Sequence, residues 1–346
     1  MEMLQITWFV LWGFLWTVYF MLDGFVLGMG MIAALVSRSE QEKRVLLASV
    51  GPVWNGNEVW IITAGGATFA AFPTIYALTF SYLYTPMLLL LLALIVRGVS
   101  LEFRGNMDSR RWRAFWDVCL FVGSLLATLL FGVVFGNIFQ GLPMDAGGYH
   151  GSLFSMLNPY GMLTGLLFVC LFVVHGALYA FLKTSGQLSA RAGSLAGRAW
   201  FALLLLVALL LGYTALATGR YGNYLAVPIL FAIPIFAMVA LVLTRVYLAK
   251  RAAVKAFAAS CVTVFLLCMT LFVGLFPELI ASNIDPAYSM NIYNCCASRT
   301  TLTIMTVVTL LFVPIVIAYK VWVYRLFRGR LPDESVEAAG GYEAHP

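Results

Sequence analysis

The chain has 346 residues, of which 62% are hydrophobic and 10% charged. Soluble domains carry about 25% charged residues, so this composition excludes an ordinary water-solvated fold and implies that lipid covers most of the chain. The formal net charge of +6 would suit a nucleic-acid binder, but the placement of the basic residues along the chain accounts for it without one.

The first element is an apolar run from Ile6 to Val36, too long for the core of a secretion signal and lacking a basic leader, so it is expected to stay as a membrane span. A span needs about 20 mainly apolar residues. On that measure nine follow one another, at about 7–36, 45–70, 75–97, 114–139, 158–183, 199–218, 224–247, 254–275 and 300–324. Pro73 marks the junction of the second and third. The expected fold is an all-α polytopic membrane protein with one integral domain over 1–330. The remainder, 331–346, is polar and reads as a disordered tail.

The basic residues alternate with these spans. Arg38, Lys43 and Arg44 follow the first, and Arg97, Arg104, Arg110, Arg111 and Arg113 the third. Lys183, Arg191 and Arg198 follow the fifth, Arg245, Lys250, Arg251 and Lys255 the seventh, and Lys320, Arg325, Arg328 and Arg330 the ninth. Of the 21 basic residues, only Arg220 and Arg299 then fall on the other side. The positive-inside rule places the N-terminus outside and the C-terminus in the cytoplasm.

Few ionisable groups remain at depth on this reading: Asp23 in span 1, Glu58 in span 2 and His175 in span 5. Asp117 and Glu278 lie near span ends. Asp23 is 14 residues before Ser37 and Glu58 is 14 residues after Arg44. At 1.5 Å per residue both sit about 21 Å from the turn between the first two spans. On span 2, Trp54, Asn57 and Glu58 share a helix face, with Asn55 beside them. Such a patch serves either as hydrogen-bonded glue between helices or as a buried proton carrier. His175 reads as a packing histidine or, more weakly, as a metal ligand. His150 and His345 lie outside the spans, so no pair of histidines is set to hold a haem. The six cysteines show no metal-ligand spacing, and the adjacent Cys295 and Cys296 could pair or stay reduced.

Several stretches together resemble subunit II of the cytochrome bd quinol oxidases of bacteria and archaea. They are "DGFVLGMGM" (23–31), "GPVWNGNEVWIITAGGATFAAFP" (51–73), "RGVSLEFR" (97–104), "RWRAFWDVCLFVGSLL" (111–126), "GVVFGNIFQGLP" (132–143) and "LNPYGMLTGL" (157–166). Looser matches, "HGALYAFLKTSG" (175–186) and "TLTIMTVVTLLFVPIVIAYK" (301–320), extend the resemblance over nearly the whole chain.

The resemblance implies two four-helix bundles plus one peripheral helix, in a multi-pass protein of the cytoplasmic membrane. It implies a complex that oxidises quinol and reduces dioxygen to water without pumping protons. Two haems b and one haem d are expected in a partner, subunit I. This chain is expected to support that subunit and to offer an oxygen route, part of the proton supply, or a seat for a structural quinone or lipid. A small single-span subunit is a further possible partner. Residue by residue, Asp23 matches a family acid, Trp60 a tryptophan near the oxygen entry, and Trp54, Asn57, Arg97 and Glu102 fall in the matched motifs. Two departures stand out: many members carry aspartate where this chain has Asn55, and an acid where it has Val26. Glu58, one turn from Asn55, becomes the candidate to carry the proton instead. Outside the family, the same two acids would suit a proton-coupled secondary transporter.

Overall fold

The structure, a computed structural model, describes residues 1–331; the expected tail, from residue 332 on, lies outside the described residues. Six helices fill the first part: α1 (Glu2–Val36), α2 (Glu40–Val50), α3 (Trp54–Ala71), α4 (Pro73–Tyr82), α5 (Tyr84–Phe103) and α6 (Arg110–Gln140). After a loop bearing the short hairpin β1 (Met144–Asp145) and β2 (Gly148–Tyr149) come α7 (Leu153–Met156), α8 (Pro159–Lys183), α9 (Gly186–Ala217) and α10 (Gly222–Ala226). The last part holds α11 (Ala232–Ala249), α12 (Ala253–Leu275), β3 (Glu278–Ile280), β4 (Met290–Asn291) and α13 (Arg299–Leu326). Among the described residues, eight helices are long and apolar enough to cross a bilayer. A ninth span is obtained when α3 and α4 count as one, although they are bent 116° apart.

Two four-helix groups result. The first is α1, α3, α5 and α6; the second is α8, α9, α11 and α12, with α1 and α8 packed together at the centre. Their approach depends on glycine. A Cβ on Gly28 would lie 1.9 Å from the Phe172 carbonyl oxygen, and one on Gly176 would lie 2.6 Å from Gly28. Side-chain-free contacts of this kind let membrane helices gain packing energy that lipid cannot supply. The last helix, α13, is peripheral and buries only Leu302.

Four expected spans differ from the structure: the sixth already begins at Gly186 as α9, and the seventh runs as α11 only from Ala232. The second is not continuous over 45–70 but breaks at Gly51–Val53 between α2 and α3, where Pro52 has no N–H to continue the ladder. The third starts later, because residues from Pro73 to Tyr82 form the bent helix α4, and it runs on to Phe103 instead of stopping at 97. The loops at the end opposite the arginine-rich one pair with each other. Leu142 donates to Ala281 at 2.8 Å, Asn283 donates back to Leu142 at 3.0 Å, and Arg220 binds Glu278 there. Cys295 and Cys296 are free thiols.

Candidate functional site

The centre of the first bundle is held by side chains spaced for a helix face. On α3 the buried positions are Trp54, Asn57, Trp60, Ala64, Thr68 and Ala71, a three-to-four spacing that turns one side toward α1. Trp12 donates to the Thr68 hydroxyl at 2.9 Å, and the Asn57 amide donates to the Leu22 carbonyl at 2.8 Å. These two bonds fix the antiparallel register and set Glu58 beside Asp23. On α5 the buried face is Pro86, Leu90, Ala93, Arg97 and Ser100, so Arg97 points into the same space. Gly123 of α6 passes close behind it; a Cβ there would lie 2.8 Å from the Ala93 carbonyl and 3.0 Å from the Arg97 nitrogen.

Arg97 joins the two acids. Its Nη2 donates to Asp23 Oδ1 at 2.8 Å and its Nη1 to Asp23 Oδ2 at 3.1 Å, a two-pronged pair. The same Nη1 donates to Glu58 Oε1 at 2.6 Å. Asp23 and Arg97 are wholly buried, whereas the Glu58 side chain is 27% exposed. The Arg97 Nε is buried without a partner. A guanidinium keeps its proton in any protein setting, so Arg97 is a fixed cation, and Asp23 in its fork is its natural anion. Glu58 has a single bond to the same nitrogen and an open side. It is the more exposed of the two acids.

The neighbours of this group close it on one side. Tyr19, wholly buried, stands one turn before Asp23 on α1. Tyr324 of α13 donates to Asn57 Oδ1 at 3.0 Å, and the Lys320 ammonium lies 3.4 Å from the same oxygen. Arg97 and Lys320, assigned from the charge count to a loop and to the tail, therefore sit within the helical array. The signals were present. Arg97 continues the apolar run "LLALIV" without a break, and Lys320 lies in "IAYKVWVY", one helical turn before Tyr324.

The remaining candidates separate clearly. Trp54 is buried with its ring against Gly98. Trp60 is buried and its indole N–H has no partner. Asn55 and Glu102 are exposed, Asn55 one turn before Glu58 on α3, and Val26 is a buried apolar residue of α1. A small apolar cavity is lined by Trp12, Phe20, Phe135, Phe168, Phe272 and neighbours, among α1, α6, α8 and α12; Trp60 does not line it.

His175 has both ring nitrogens occupied. Nε2 faces the Met21 carbonyl at 3.0 Å and Nδ1 faces the Ser260 hydroxyl at 2.8 Å, with the ring stacked on Phe257. A carbonyl can only accept, so Nε2 carries the hydrogen, while Nδ1 is taken up by the Ser260 hydroxyl, which also donates to the Phe257 carbonyl. That leaves no nitrogen for an axial bond to haem iron, and the ring joins α8 to α1 and α12. Among the described residues no group of three or more histidine, cysteine or acidic side chains is placed to hold a metal. Among the described residues, the membrane-depth histidine does not fit a haem ligand.

A second polar group lies at the arginine-rich end. Arg104 binds Glu40 with two nitrogens at 2.9 Å each and Asp117 at 2.6 Å, and Lys43 binds Asp117 at 2.8 Å. Burial alone would lift the Glu40 carboxyl, but Arg104 and Arg113 outweigh it and hold the group below the ordinary carboxylate range.

Comparison with known proteins places this arrangement. The family model described as cytochrome bd terminal oxidase subunit II matches residues 4–327. The cytochrome bd-I ubiquinol oxidase subunit 2 of Escherichia coli strain K12 is 33% identical, the match covering 97% of both chains. The cytochrome bd ubiquinol oxidase subunit 2 of Bacillus subtilis strain 168 is also 33% identical, over 96% of this chain and 98% of its own. In fold, a chain of the bd oxidase from Geobacillus thermodenitrificans superposes with a TM-score of 0.78 at 18% identity, over 94% of this chain and 98% of that one. The chain therefore belongs to the cytochrome bd terminal oxidase subunit II family.

Proposed function

We infer that this chain works as the second subunit of a membrane-bound terminal oxidase that oxidises quinol and reduces dioxygen to water. It is a multi-pass protein of the cytoplasmic membrane and works beside a subunit I. The transporter reading of Asp23 and Glu58 finds no support among these relatives. The haems of the complex, two b and one d, belong in subunit I, because the one membrane-depth histidine here spends both nitrogens on packing.

Within the complex, we assign to this chain a proton station built on Glu58. Reducing dioxygen to water consumes four protons per molecule, and a site within hydrocarbon needs titratable groups or water to deliver them. Arg97 supplies the field that makes an ionised acid tolerable at depth. Asp23 occupies its fork, and Glu58 is left singly bonded and partly open. That asymmetry is the observation that carries the reading: one acid is locked and the other can load and release. The usual family aspartate is replaced by Asn55, which is exposed and cannot titrate, so Glu58 is the acid of the motif that remains. N-out topology and a small accessory subunit belong to the same proposal.

The test is Glu58→Gln in the assembled oxidase. Quinol-dependent oxygen consumption is expected to fall at least tenfold while the haem absorbance and subunit stoichiometry stay unchanged; full turnover in such a complex removes the proton role. Trp60, buried with an unpaired indole N–H beside the small residues of "TAGGATFAA", is proposed as a wall of the oxygen route. Trp60→Ala should change the oxygen concentration for half-maximal rate severalfold with little effect on the quinol dependence.

A further inference from the structure

Lys320 is placed against the usual habit of lysine in a membrane helix. It stands six residues before the end of α13, where a long cationic side chain ordinarily reaches along the helix to the headgroups. Here it turns inward to α3. Its ammonium lies 3.4 Å from Asn57 Oδ1, the oxygen that also accepts from Tyr324 at 3.0 Å. The space it occupies exists because residue 56 is glycine: a Cβ on Gly56 would lie 2.4 Å from Nζ. Asn57 in turn donates to the carbonyl of Leu22, the residue before Asp23.

The charge count gives this placement a purpose. Asp23, Glu58 and Arg97 sum to −1 when both acids are ionised, an excess that is costly at depth. Lys320 brings the group to neutrality. The groups facing it and its partners are Tyr19 and Asp23 from α1, Glu58 from α3, Arg97 from α5, Tyr179 from α8, Cys261 from α12 and Tyr324 on its own helix. Among these described residues the acids are Asp23 and Glu58, and the other cation is Arg97.

We propose that Lys320 is the second cation of the buried group, a positioning residue beside Asp23 and Asn57 that offsets the net charge of the group when Glu58 is ionised and so links the seating of the last helix to proton exchange at Glu58. The inference rests on the reading of Glu58 as the exchanging acid. A lysine that merely tethered α13 would do so whatever the charge of Glu58. That difference is measurable.

The experiment uses the assembled oxidase, checked by its haem spectrum, and records turnover against pH for Lys320→Gln, Gly56→Ala, Glu58→Gln and the double variant Glu58→Gln/Lys320→Gln. Lys320→Gln should move the acid limb of the profile to higher pH by about one unit. Gly56→Ala displaces the ammonium without removing it and should move the limb the same way by less. In the Glu58→Gln background, loss of Lys320 should add nothing, the non-additivity expected of directly coupled groups. If Lys320→Gln fails to assemble, Gly56→Ala decides. Wild-type profiles for the lysine and glycine variants, with turnover lost in Glu58→Gln, overturn the inference and leave the Glu58 reading intact. Full turnover in Glu58→Gln overturns both.

Discussion

Among the described residues, the carboxylates on Arg104 and those on Arg97 differ in what surrounds them. At the arginine-rich end, Glu40 and Asp117 share Arg104, with Lys43 and Arg113 at hand. In the first bundle, Asp23 and Glu58 share Arg97, and the next cation comes from a helix packed on the outside. The first group is rich in cations and open to water. The second is poor in cations and enclosed. The same bond therefore does different work: at the end it fastens loops to helices, and within the bundle it joins α1, α3 and α5. Water and salt screen the first group, whereas at the second each charge must be matched by a neighbour.

The sharpest way to break this comparison is to remove each arginine. Arg97→Gln leaves two acids against one another with Lys320 as the remaining nearby cation, a loss of about 3–5 kcal/mol. The variant complex should fail to accumulate, as read by haem content of the membranes. Arg104→Gln removes hydrogen bonds to Glu40 and Asp117 but leaves Lys43 and Arg113 in place, so about 1–2 kcal/mol is expected. It should lower the melting temperature of the purified complex by a few degrees without changing turnover. Equal effects of the two substitutions would erase the distinction drawn here.

Acid sharpens the same contrast. Folding holds the Glu40 carboxyl below its ordinary range, so its contribution is full above about pH 4.3 and is lost as pH falls through the lower folded value. Thermal stability of the complex should decline on acidification below that point, and Glu40→Gln should flatten the decline. The smallest effect is expected at Asn55. It lies one turn from Glu58 but is exposed and cannot titrate, so Asn55→Ala should leave turnover within twofold. A larger loss, with assembly intact, would place a proton step on the exposed side of α3.

Much of the fold was legible along the chain because lipid imposes a simple rule: each crossing needs an apolar run of fixed length, and arginine marks one set of ends. The breaks were less legible. Pro73 announced the end of α3, but the ten residues after it satisfied the hydropathy of a span while folding into the bent helix α4. The break before Trp54 was masked by apolar neighbours, although Gly51 and Pro52 signal it. His175 was legible as a packing residue, yet its two partners, 154 and 85 residues away in the chain, were not.

The sequence by itself determined the family and most of the spans, and counting residues at a helical rise put Asp23 and Glu58 level on neighbouring helices. Arg97 and Lys320 had been counted with the interface because a cation at the edge of an apolar run ordinarily belongs there. Only the tertiary structure decided that both turn inward, that Arg97 takes Asp23 in its fork and Glu58 by one bond, and that Asn55 faces away. Helical periodicity fixes which residues share a face. Which helix lies opposite that face is settled by packing, here by the glycines that let α1, α6 and α8 approach and by the hydrogen bonds that set α3 against α1.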